Sequence, residues 1–333
     1  MKIRGDKGMK LIIQIPCYNE AETLEIALNA LPKKIEGIDV IEVLIINDGS
    51  KDNTVEVARN WGVNYVVNFR NNKGLAKGFM AGIDACLRNG ADIIVNTDAD
   101  NQYNADDIEK LVRPVLNREA GMVIGERPVL QTKHWSPLKK VLQKFGSWVV
   151  RKASGTHIPD APSGFRAYSR STAMRLNVIN DYTYTLETIV QAGRNKMAVT
   201  SVPIRTNDEL RPSRLFSSMF GYVKKSMLTI VRTYISYKPM LFFTSIGSVI
   251  TLLGLGLFLR FFIGGMVGKT QSVVVATGCL IIGILVIVIG FLADTIHTNR
   301  RLLEEIQFQL RGMDYGRGNT IIYENDIDDS MIL

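Results

Sequence analysis

Short apolar runs alternate with longer stretches in which apolar residues recur every three or four positions, from residue 10 to about residue 205. The runs LIIQIP, VLIIND, YVVNF and DIIVNTD each precede a segment with helical spacing, such as AETLEIALNAL or GLAKGFMAGIDACL. Repeated strand–helix units predict a parallel sheet covered on both faces by helices. The same patterns predict further strands at 122–125 and 198–205, and further helices at 105–118, 138–154 and 184–193.

Two longer apolar stretches follow this region. Residues 240–259 and 270–293 contain no charged side chain, and each stretch is long enough to cross a bilayer core of about 30 Å as a helix. Before them, residues 214–239 combine apolar positions at steps of three and four with lysine and arginine, which predicts an amphipathic helix in the membrane interface. We therefore expect a catalytic domain at 1–212, an interface helix at 213–238, a transmembrane hairpin at 239–295 and a C-terminal helix and tail at 296–333.

The distribution of basic residues predicts the orientation of this hairpin. Four basic residues precede the first span and Arg300 and Arg301 follow the second, whereas Lys269 stands alone in the loop between them. The first ten residues lack an apolar segment, so we expect no cleavable signal peptide. The sequence thus predicts a multi-pass protein of the cell membrane, with its catalytic domain and both termini in the cytoplasm.

The net charge of +8 fits an anionic membrane surface or a substrate that carries phosphate. Nucleic acid is the competing partner, but the chain shows no recognition-helix or zinc-finger pattern, so we expect no nucleic-acid binding. The three cysteines are widely spaced and odd in number, which favours a reducing compartment over a disulfide framework or a metal site.

Four polar clusters follow the first four predicted strands: PCYNE, NDGSKDN, NNKGLAKG and NTDADNQ. Each cluster alone is compatible with an ordinary turn or helix cap. Together they would meet at the carboxyl edge of one sheet, which is where a nucleotide binds. Neither GxGxxG nor GxxxxGK[ST] is present, which disfavours a dinucleotide oxidoreductase and a P-loop enzyme. Asp98 and Asp100 share one face at i and i+2 and could hold Mg²⁺ or Mn²⁺, although an acidic loop that keeps a strand end soluble is the alternative.

The motifs PxYNE, NDGSxD, NxKGLAxG, DADxQ and DxxSGFR occur in this order between residue 10 and about residue 214. In this order they resemble the inverting family 2 glycosyltransferases with the Rossmann-like nucleotide-sugar fold, known as the glycosyltransferase A fold. Within that family they are similar to the polyprenyl-phosphate glycosyltransferases typified by dolichol-phosphate mannose synthase. The interface helix and membrane hairpin look like those of members that carry such an anchor.

The resemblance implies roles for individual residues. Nucleotide-binding residues would be Pro16, Tyr18, Glu20, Asp48, Asp98, Ala99 and Asp100. The metal ligands would be Asp98, Asp100 and Gln102, and the catalytic residues Asp100, Asp160 and Arg127. Phosphate would be bound by Arg127, Lys139, Lys144, Arg211 and Arg214. The segment DAPSGFR would lie near the acceptor, and Glu187 also matches a family position, where a helical glutamate is expected to face solvent.

The implied reaction is inverting transfer of a monosaccharide from a GDP- or UDP-sugar to polyprenyl or dolichyl phosphate at the cytoplasmic face of the bilayer. A lipid phosphate is largely ionised at neutral pH, so its oxygen can attack without a general base. Two alternatives stay open: a processive polysaccharide synthase, disfavoured by the lack of a QxxRW motif and by only two spans, and an inactive membrane scaffold. Helical spacing in LLEEIQFQL would also suit the assembly of a homo-oligomer.

Overall fold

The computed structural model describes residues 8–128, 137–178, 184–208, 235, 239–263 and 270–317. The chain divides into two compact units, one formed by Met1–Lys224 with Gln307–Leu333 and the other by Lys225–Ile306. The predicted interface helix lies outside the described residues except for Ile235, and the bounds of the four segments given above stay predictions.

Within the described part of the first unit, seven strands form one sheet. The strands are β1 (Lys10–Cys17), β2 (Val40–Asn47), β3 (Tyr65–Asn68), β4 (Ile93–Asn96), β5 (Met122–Glu126), β6 (Arg166–Ser169) and β7 (Val199–Pro203). Their order is β3-β2-β1-β4-β6-β5-β7. The pairs among β1 to β4 and the pair β5–β7 are parallel, as predicted.

The predicted parallel arrangement does not extend to β6, which runs antiparallel to both β4 and β5. This strand is only four residues long and reads RAYS, so it lacks the apolar run that reveals the other strands. The sheet is therefore mixed, with the antiparallel strand between β4 and β5.

Helices cover the sheet and begin and end close to the positions that the spacing predicts. They are α1 (Ala21–Asn29), α2 (Thr54–Trp61), α3 (Leu75–Arg88), α4 (Ile108–Leu116), α5 (Pro137–Ser154), α6 (Arg170–Arg175) and α7 (Thr185–Arg194). A 3₁₀ turn at Ala105–Asp107 precedes α4, and the Asn104 side chain caps it by accepting from the Asp106 N–H. The short helix α6 had no counterpart in the sequence-based prediction.

The core lies between the sheet and its helices, and β1 is buried on both faces. Leu11, Ile12, Ile13 and Ile15 are all fully buried, as expected for a central parallel strand with helices on either side. Gln14 is the polar exception in this run, and it is also fully buried. Burial of an amide requires a hydrogen-bond partner, which for Gln14 is the side chain of Asn96.

The second unit contains α8 (Pro239–Ile263) and most of α9 (Thr270–Arg317). Both helices are long and apolar enough to cross a membrane, and they contain the two apolar stretches predicted as spans. Small residues let them approach closely: a Cβ added at Gly247 would lie 2.8 Å from the Gly283 carbonyl oxygen, and one added at Gly254 would lie 3.0 Å from the Ala276 carbonyl oxygen. Such contacts between small residues are typical of helix packing in membranes.

The last turns of α9 belong to the first unit and pack on α3 and α6. Arg311 donates to the carbonyl oxygen of Leu176 at 2.7 Å, and the guanidinium of Arg175 lies 3.7 Å from the centre of the Phe308 ring. The Tyr315 hydroxyl donates to Asp84 of α3. This face of α9 is thus used within the chain, and its predicted role in subunit assembly stays a prediction.

Candidate active site

The loops that follow β1 and β2 are joined by hydrogen bonds between backbone and side-chain groups. The Asn19 N–H donates to Ser50 Oγ at 2.9 Å, and Asn19 Oδ1 in turn accepts from the Lys51 N–H at 2.8 Å. The Glu20 N–H donates to Thr54 Oγ1 at 2.9 Å. Polar residues of the NDGSKDN cluster therefore hold the PCYNE loop in place at the carboxyl edge of the sheet.

Asp48 joins the loop after β2 to the loop after β3. Its buried carboxylate accepts from the backbone N–H of Lys73 at 2.6 Å and of Gly74 at 3.0 Å. Gly49 has φ +70°, and a Cβ there would lie 2.6 Å from the backbone of Asn71, so only glycine fits this turn. The polar clusters after the first three strands thus form one connected rim.

The other predicted nucleotide-binding residues of this rim have different exposures. Pro16 is in β1, opposite Ile46 of β2, and Glu20 immediately precedes α1. Tyr18 is 41% exposed, so its ring is available at the open edge of the sheet. An exposed aromatic ring beside a buried carboxylate is a suitable surface for a nucleoside.

Asp98 and Asp100 follow β4 on the other side of β1. Asp98 is partly buried, Ala99 between the two is 3% exposed, and Asp100 Oδ1 accepts from the Gln102 N–H at 3.1 Å. Burial raises the pKa of Asp98, the neighbouring charge of Asp100 raises it further, and the positive charge of Arg127 opposes both. Two carboxylates that interact in this way are unfavourable when both are ionised, unless a cation accompanies them.

The described residues contain no group of three or more His, Cys, Asp or Glu side chains that could hold a metal ion. A pair of carboxylates is nevertheless the usual protein contribution when Mg²⁺ is bound together with substrate phosphates. The oxygen donors of Asp98, Asp100 and Gln102 therefore fit a hard divalent ion whose remaining ligands come from a diphosphate.

Arg127 and Asp160 form a buried, two-pronged ion pair. Arg127 Nε and Nη2 donate to the two carboxylate oxygens of Asp160 at 2.8 and 3.0 Å, and the Arg127 backbone N–H also donates to Asp160 at 3.2 Å. The side chains are only 11% and 2% exposed. Burial lowers the pKa of Arg127, but the charges of Asp160 and Tyr103 and the hydrogen bonds to Asp160 together outweigh that effect, and the pKa is raised. Asp98 raises the pKa of Arg127 as well, which places this pair within electrostatic range of the carboxylates.

The DAPSGFR segment has a structural role that the sequence did not reveal. Arg166 is fully buried and donates at 2.7 Å to the carbonyl oxygens of Ser163 and Ala161 and to Thr188 Oγ1 of α7. Its side chain therefore holds the 160–165 loop against α7. A Cβ at Gly164 would lie 3.5 Å from both carboxylate oxygens of Asp98, so the glycine lets this loop pass close to the acidic pair.

The expectation that Glu187 faces solvent is wrong, because this side chain is 6% exposed. The reason is the position of α7, in which every residue from Thr185 to Ala192 is buried. A helix buried on all sides has no solvent face for a glutamate, and an amphipathic spacing rule does not apply to it.

A buried polar network behind the acidic pair was missed by sequence reasoning. Gln14 Nε2 donates to Asn96 Oδ1 at 2.9 Å, and Asn96 Nδ2 donates to the Gly164 carbonyl oxygen and to the Tyr184 hydroxyl, each at 2.9 Å. The Tyr103 hydroxyl accepts from the Gly164 N–H at 3.1 Å. A signal existed, since Gln14 and Asn96 are single polar residues in or directly after apolar strands.

The remaining predicted phosphate ligands are not brought to this site by the described residues. Lys139 lies on α5, where the backbone alone is described, and Lys144 lies on the exposed face of the same helix. Arg211 and Arg214 lie outside the described residues. Their phosphate-binding roles stay predictions.

Comparison with known proteins supports the assignment made from the motifs. Residues 12–176 match the family model described as glycosyl transferase family 2. A UDP-N-acetylglucosamine–dolichyl-phosphate N-acetylglucosaminyltransferase of Methanococcus voltae is 30% identical over 227 residues, which cover 61% of this chain and 86% of that protein. An undecaprenyl-phosphate mannosyltransferase of Micrococcus luteus is 29% identical, with 64% of this chain and 90% of the relative covered.

Among solved structures, glucosyl-3-phosphoglycerate synthase from Mycobacterium tuberculosis is similar in fold. Its complex with Mn²⁺, UDP and glucosyl-3-phosphoglycerate gives a TM-score of 0.53 at 18% identity, covering 69% of this chain and 80% of that chain. The mixed sheet, the rim of polar loops and these matches lead to one conclusion. The chain belongs to glycosyl transferase family 2 and is a glycosyltransferase.

Proposed function

We propose that this protein transfers a monosaccharide from a nucleoside diphosphate sugar to polyprenyl or dolichyl phosphate, at the cytoplasmic face of a membrane. The single observation that carries the proposal is the arrangement at the sheet edge, where the Asp98–Asp100 pair lies in electrostatic range of the Arg127–Asp160 pair. The relatives named for transfer to dolichyl and undecaprenyl phosphate support the choice of a lipid acceptor. The two apolar helices and the basic residues that flank them support the cytoplasmic orientation.

The nucleotide would bind along the rim formed by the first three loops. Tyr18 offers an exposed ring to the base, and Asp48 and Glu20 offer carboxylates to hydroxyl groups, since a carboxylate accepts hydrogen bonds from a ribose. Pro16 and Ala99 shape the floor, because both lie at carboxyl ends of adjacent strands β1 and β4.

The diphosphate would lie beside Asp98 and Asp100. Two carboxylates and a diphosphate repel each other, so their joint binding requires positive charge. Asp98, Asp100 and Gln102 would hold Mg²⁺ or Mn²⁺, which when bound stabilises the negative charge of the departing nucleoside diphosphate. Arg127 supplies a second, permanent positive charge in the same region.

Asp160 acts in this proposal by orienting Arg127. Its carboxylate is nearly inaccessible to water and is bound by two N–H groups of the guanidinium, so it is poorly suited to take a proton from an acceptor. An ionised lipid phosphate needs no base, because its oxygen is already a nucleophile at neutral pH. In-line attack on the anomeric carbon would then invert its configuration, with formation of the new sugar–phosphate bond as the bond to the diphosphate breaks.

The test is incubation of the purified full-length protein with polyprenyl phosphate and a panel of radiolabelled GDP- and UDP-sugars, with Mn²⁺, Mg²⁺ or EDTA. We expect label to enter the lipid phase with one donor and a divalent ion, as a product with one sugar and inverted configuration. Absence of labelled lipid with every donor would contradict the lipid-phosphate acceptor. A polymeric product would favour a polysaccharide synthase. If the protein neither labels the lipid nor hydrolyses any donor in the presence of a divalent ion, an inactive scaffold would be favoured.

A further inference from the structure

Helix α5 concentrates positive charge in the catalytic unit. Its sequence PLKKVLQKFGSWVVRKAS contains lysine and arginine but no aspartate or glutamate. The basic residues are Lys139, Lys140, Lys144, Arg151 and Lys152. A helix with basic residues and no acidic residue carries a net positive charge, which favours contact with an anionic partner.

The packing of α5 fixes which of its faces is exposed. Ser147, Val150 and Ser154 are 0%, 3% and 6% exposed and lie on the inner side. The Ser147 hydroxyl accepts from the Ala161 N–H at 3.3 Å, so the helix is anchored to the loop that contains Asp160. A Cβ added at Gly193 of α7 would lie 2.2 Å from the Ser154 carbonyl oxygen, which shows how closely the end of α5 approaches α7.

The outer face carries a tryptophan between two lysines. Lys144, Trp148 and Lys152 are four residues apart, so they share one side of the helix, and all three are exposed. Trp148 is 48% exposed, although tryptophan, the largest of the side chains, is on average highly buried in soluble proteins. Exposed lysines are ordinary on a solvated surface, whereas a half-exposed indole leaves a large apolar area in contact with water.

The combination fits the headgroup region of a bilayer. Tryptophan is enriched at membrane–water interfaces, because its ring is apolar while its N–H group donates a hydrogen bond. Lysine can bury its methylene groups against lipid and keep its ammonium group among phosphates. Each basic residue near an anionic leaflet contributes roughly a five-fold gain in surface affinity. We propose that the face formed by Lys144, Trp148 and Lys152 binds the anionic phospholipid surface of the membrane.

Helix α5 belongs to the unit that contains the candidate site, and the two apolar stretches belong to the other unit. A contact of α5 with phospholipid goes beyond the proposed function, and it has a consequence for that function. The acceptor phosphate of a polyprenyl lipid lies in the same headgroup layer, so a catalytic unit seated on this layer would have a short distance to span.

The test uses fluorescence of the full-length protein in nanodiscs of phosphatidylglycerol, with and without bromine on the acyl chains. The protein has three tryptophans, and the variant W61F/W135F leaves Trp148 as the only one. The variant W135F/W148F is the matched control that leaves Trp61, whose indole donates to Asn29 on the side of α1. We expect brominated lipid to remove most of the Trp148 emission and to leave the Trp61 emission unchanged.

The role of charge is tested in the same format. Replacing both lysines by alanine should lower the surface affinity roughly 30-fold and reduce the quenching of Trp148 to the Trp61 level, whereas K144R/K152R should retain it. Circular dichroism and thermal unfolding of each variant show that it is folded. Trp148 emission that is insensitive to brominated lipid overturns the proposal, as does equal quenching in zwitterionic phosphatidylcholine. A Trp148 response to an oligonucleotide but not to lipid would assign the face to nucleic acid instead.

The experiment requires no donor sugar and no acceptor lipid. Its outcome is therefore independent of the transfer assay, and a failed transfer assay leaves the quenching result interpretable.

Discussion

The two sides of the candidate site are built in different ways. On the side of β1, β2 and β3, short polar side chains bind backbone N–H groups of neighbouring loops, as Asp48 does with Lys73 and Gly74. On the side of β4, β5 and β6, buried charges face each other, as in the pair of Arg127 and Asp160. The first side is a scaffold of local turns, whereas the second side also contains the Asp98–Asp100 pair, whose negative charge a bound cation would stabilise.

This difference has a physical consequence. Hydrogen bonds from backbone N–H groups to a carboxylate set the shape of a loop and change little when a ligand binds. Carboxylates that lie close together and are partly removed from water change their free energy strongly when a cation or phosphate arrives. We therefore expect binding geometry to depend on the first side and catalysis to depend on the second.

The sharpest test removes one member of the acidic pair. We expect Asp100→Ala to lower transfer to the lipid acceptor by at least about 10³-fold, because loss of a metal ligand removes several kcal/mol of stabilisation from the leaving diphosphate. The measurement is radiolabel in the lipid phase. The matched control is Asp106→Ala, whose carboxylate lies in the same region but is 77% exposed.

The anchor should be unaffected by Asp100→Ala, so the variant should remain in alkali-washed membranes. Full activity of Asp100→Ala would remove the metal role assigned to the acidic pair.

The buried ion pair can be broken by replacing one of its two partners. Arg127→Met leaves the Asp160 carboxylate without its partner in a site that is 2% exposed, and we expect a loss of about 3–5 kcal/mol in the free energy of unfolding. Thermal unfolding of the detergent-solubilised protein measures this loss. The double variant R127M/D160L should recover part of it, because the uncompensated charge is then absent.

A matched surface pair provides the control for that experiment. Arg113 pairs with Glu109 within α4 while 55% exposed, so Arg113→Met should leave the unfolding temperature nearly unchanged. Equal changes in unfolding temperature in Arg127→Met and Arg113→Met would contradict the prediction that burial makes the Arg127–Asp160 pair more important for stability.

The scaffold side should respond more mildly. Asp48→Ala deprives the Lys73 and Gly74 N–H groups of their acceptor, which we expect to cost about 1–3 kcal/mol and to weaken binding of a nucleoside diphosphate. Calorimetric titration with GDP and UDP measures the binding. Asp48→Asn keeps one acceptor oxygen and should fall between wild type and alanine; a nucleotide affinity unaltered in Asp48→Ala would separate this loop from the nucleotide site.

The smallest expected effect is a dependence of metal stabilisation on pH. The pKa of Asp98 is raised from its ordinary 3.8 to about 7 by burial, with Asp100 adding to the shift. Because the pKa is raised on folding, protonation of Asp98 stabilises the metal-free folded state. This stabilisation is fully present below about pH 4 and is lost as the pH rises toward 7. A divalent ion binds the ionised form, and we expect Mn²⁺ to raise the unfolding temperature by a few degrees more at pH 8 than at pH 5.

Differential scanning fluorimetry at both pH values measures this shift. In Asp100→Ala the difference should shrink, since one source of the raised pKa is removed. An identical effect of Mn²⁺ at pH 5 and pH 8 would contradict the assignment of Asp98 as a ligand.

Much of the scaffold side could be predicted from the sequence. The strands that precede PCYNE, NDGSKDN, NNKGLAKG and NTDADNQ are adjacent in the sheet and parallel, as their strand–helix pattern indicates. The apolar stretches at 240–259 and 270–293 likewise form helices. These features depend on the periodicity and composition of continuous segments, which a sequence displays directly.

The side of the site formed by β4, β5 and β6 was predicted less completely. The motif resemblance brought Arg127 and Asp160 into the site, but it did not show that the two bind each other across 33 residues. Glu187 and Arg166 are polar in sequence and buried in the fold, against the default expectation for charged residues. Their burial depends on which elements surround α7 and β6. The spacing of residues along the sequence does not reveal these neighbours.

The sequence by itself determined the alternation of strands and helices from β1 to β5, the edge of the sheet that carries the polar loops, and the two apolar helices, because each of these follows from residues that are close along the chain. The tertiary structure alone decided that β6 runs antiparallel, that Arg127 is paired with Asp160, and that Gln14 and Asn96 support the acidic loop from behind. The physical reason is distance. Electrostatic and hydrogen-bond energies depend on separation in space, and these partners approach one another only after the sheet has formed.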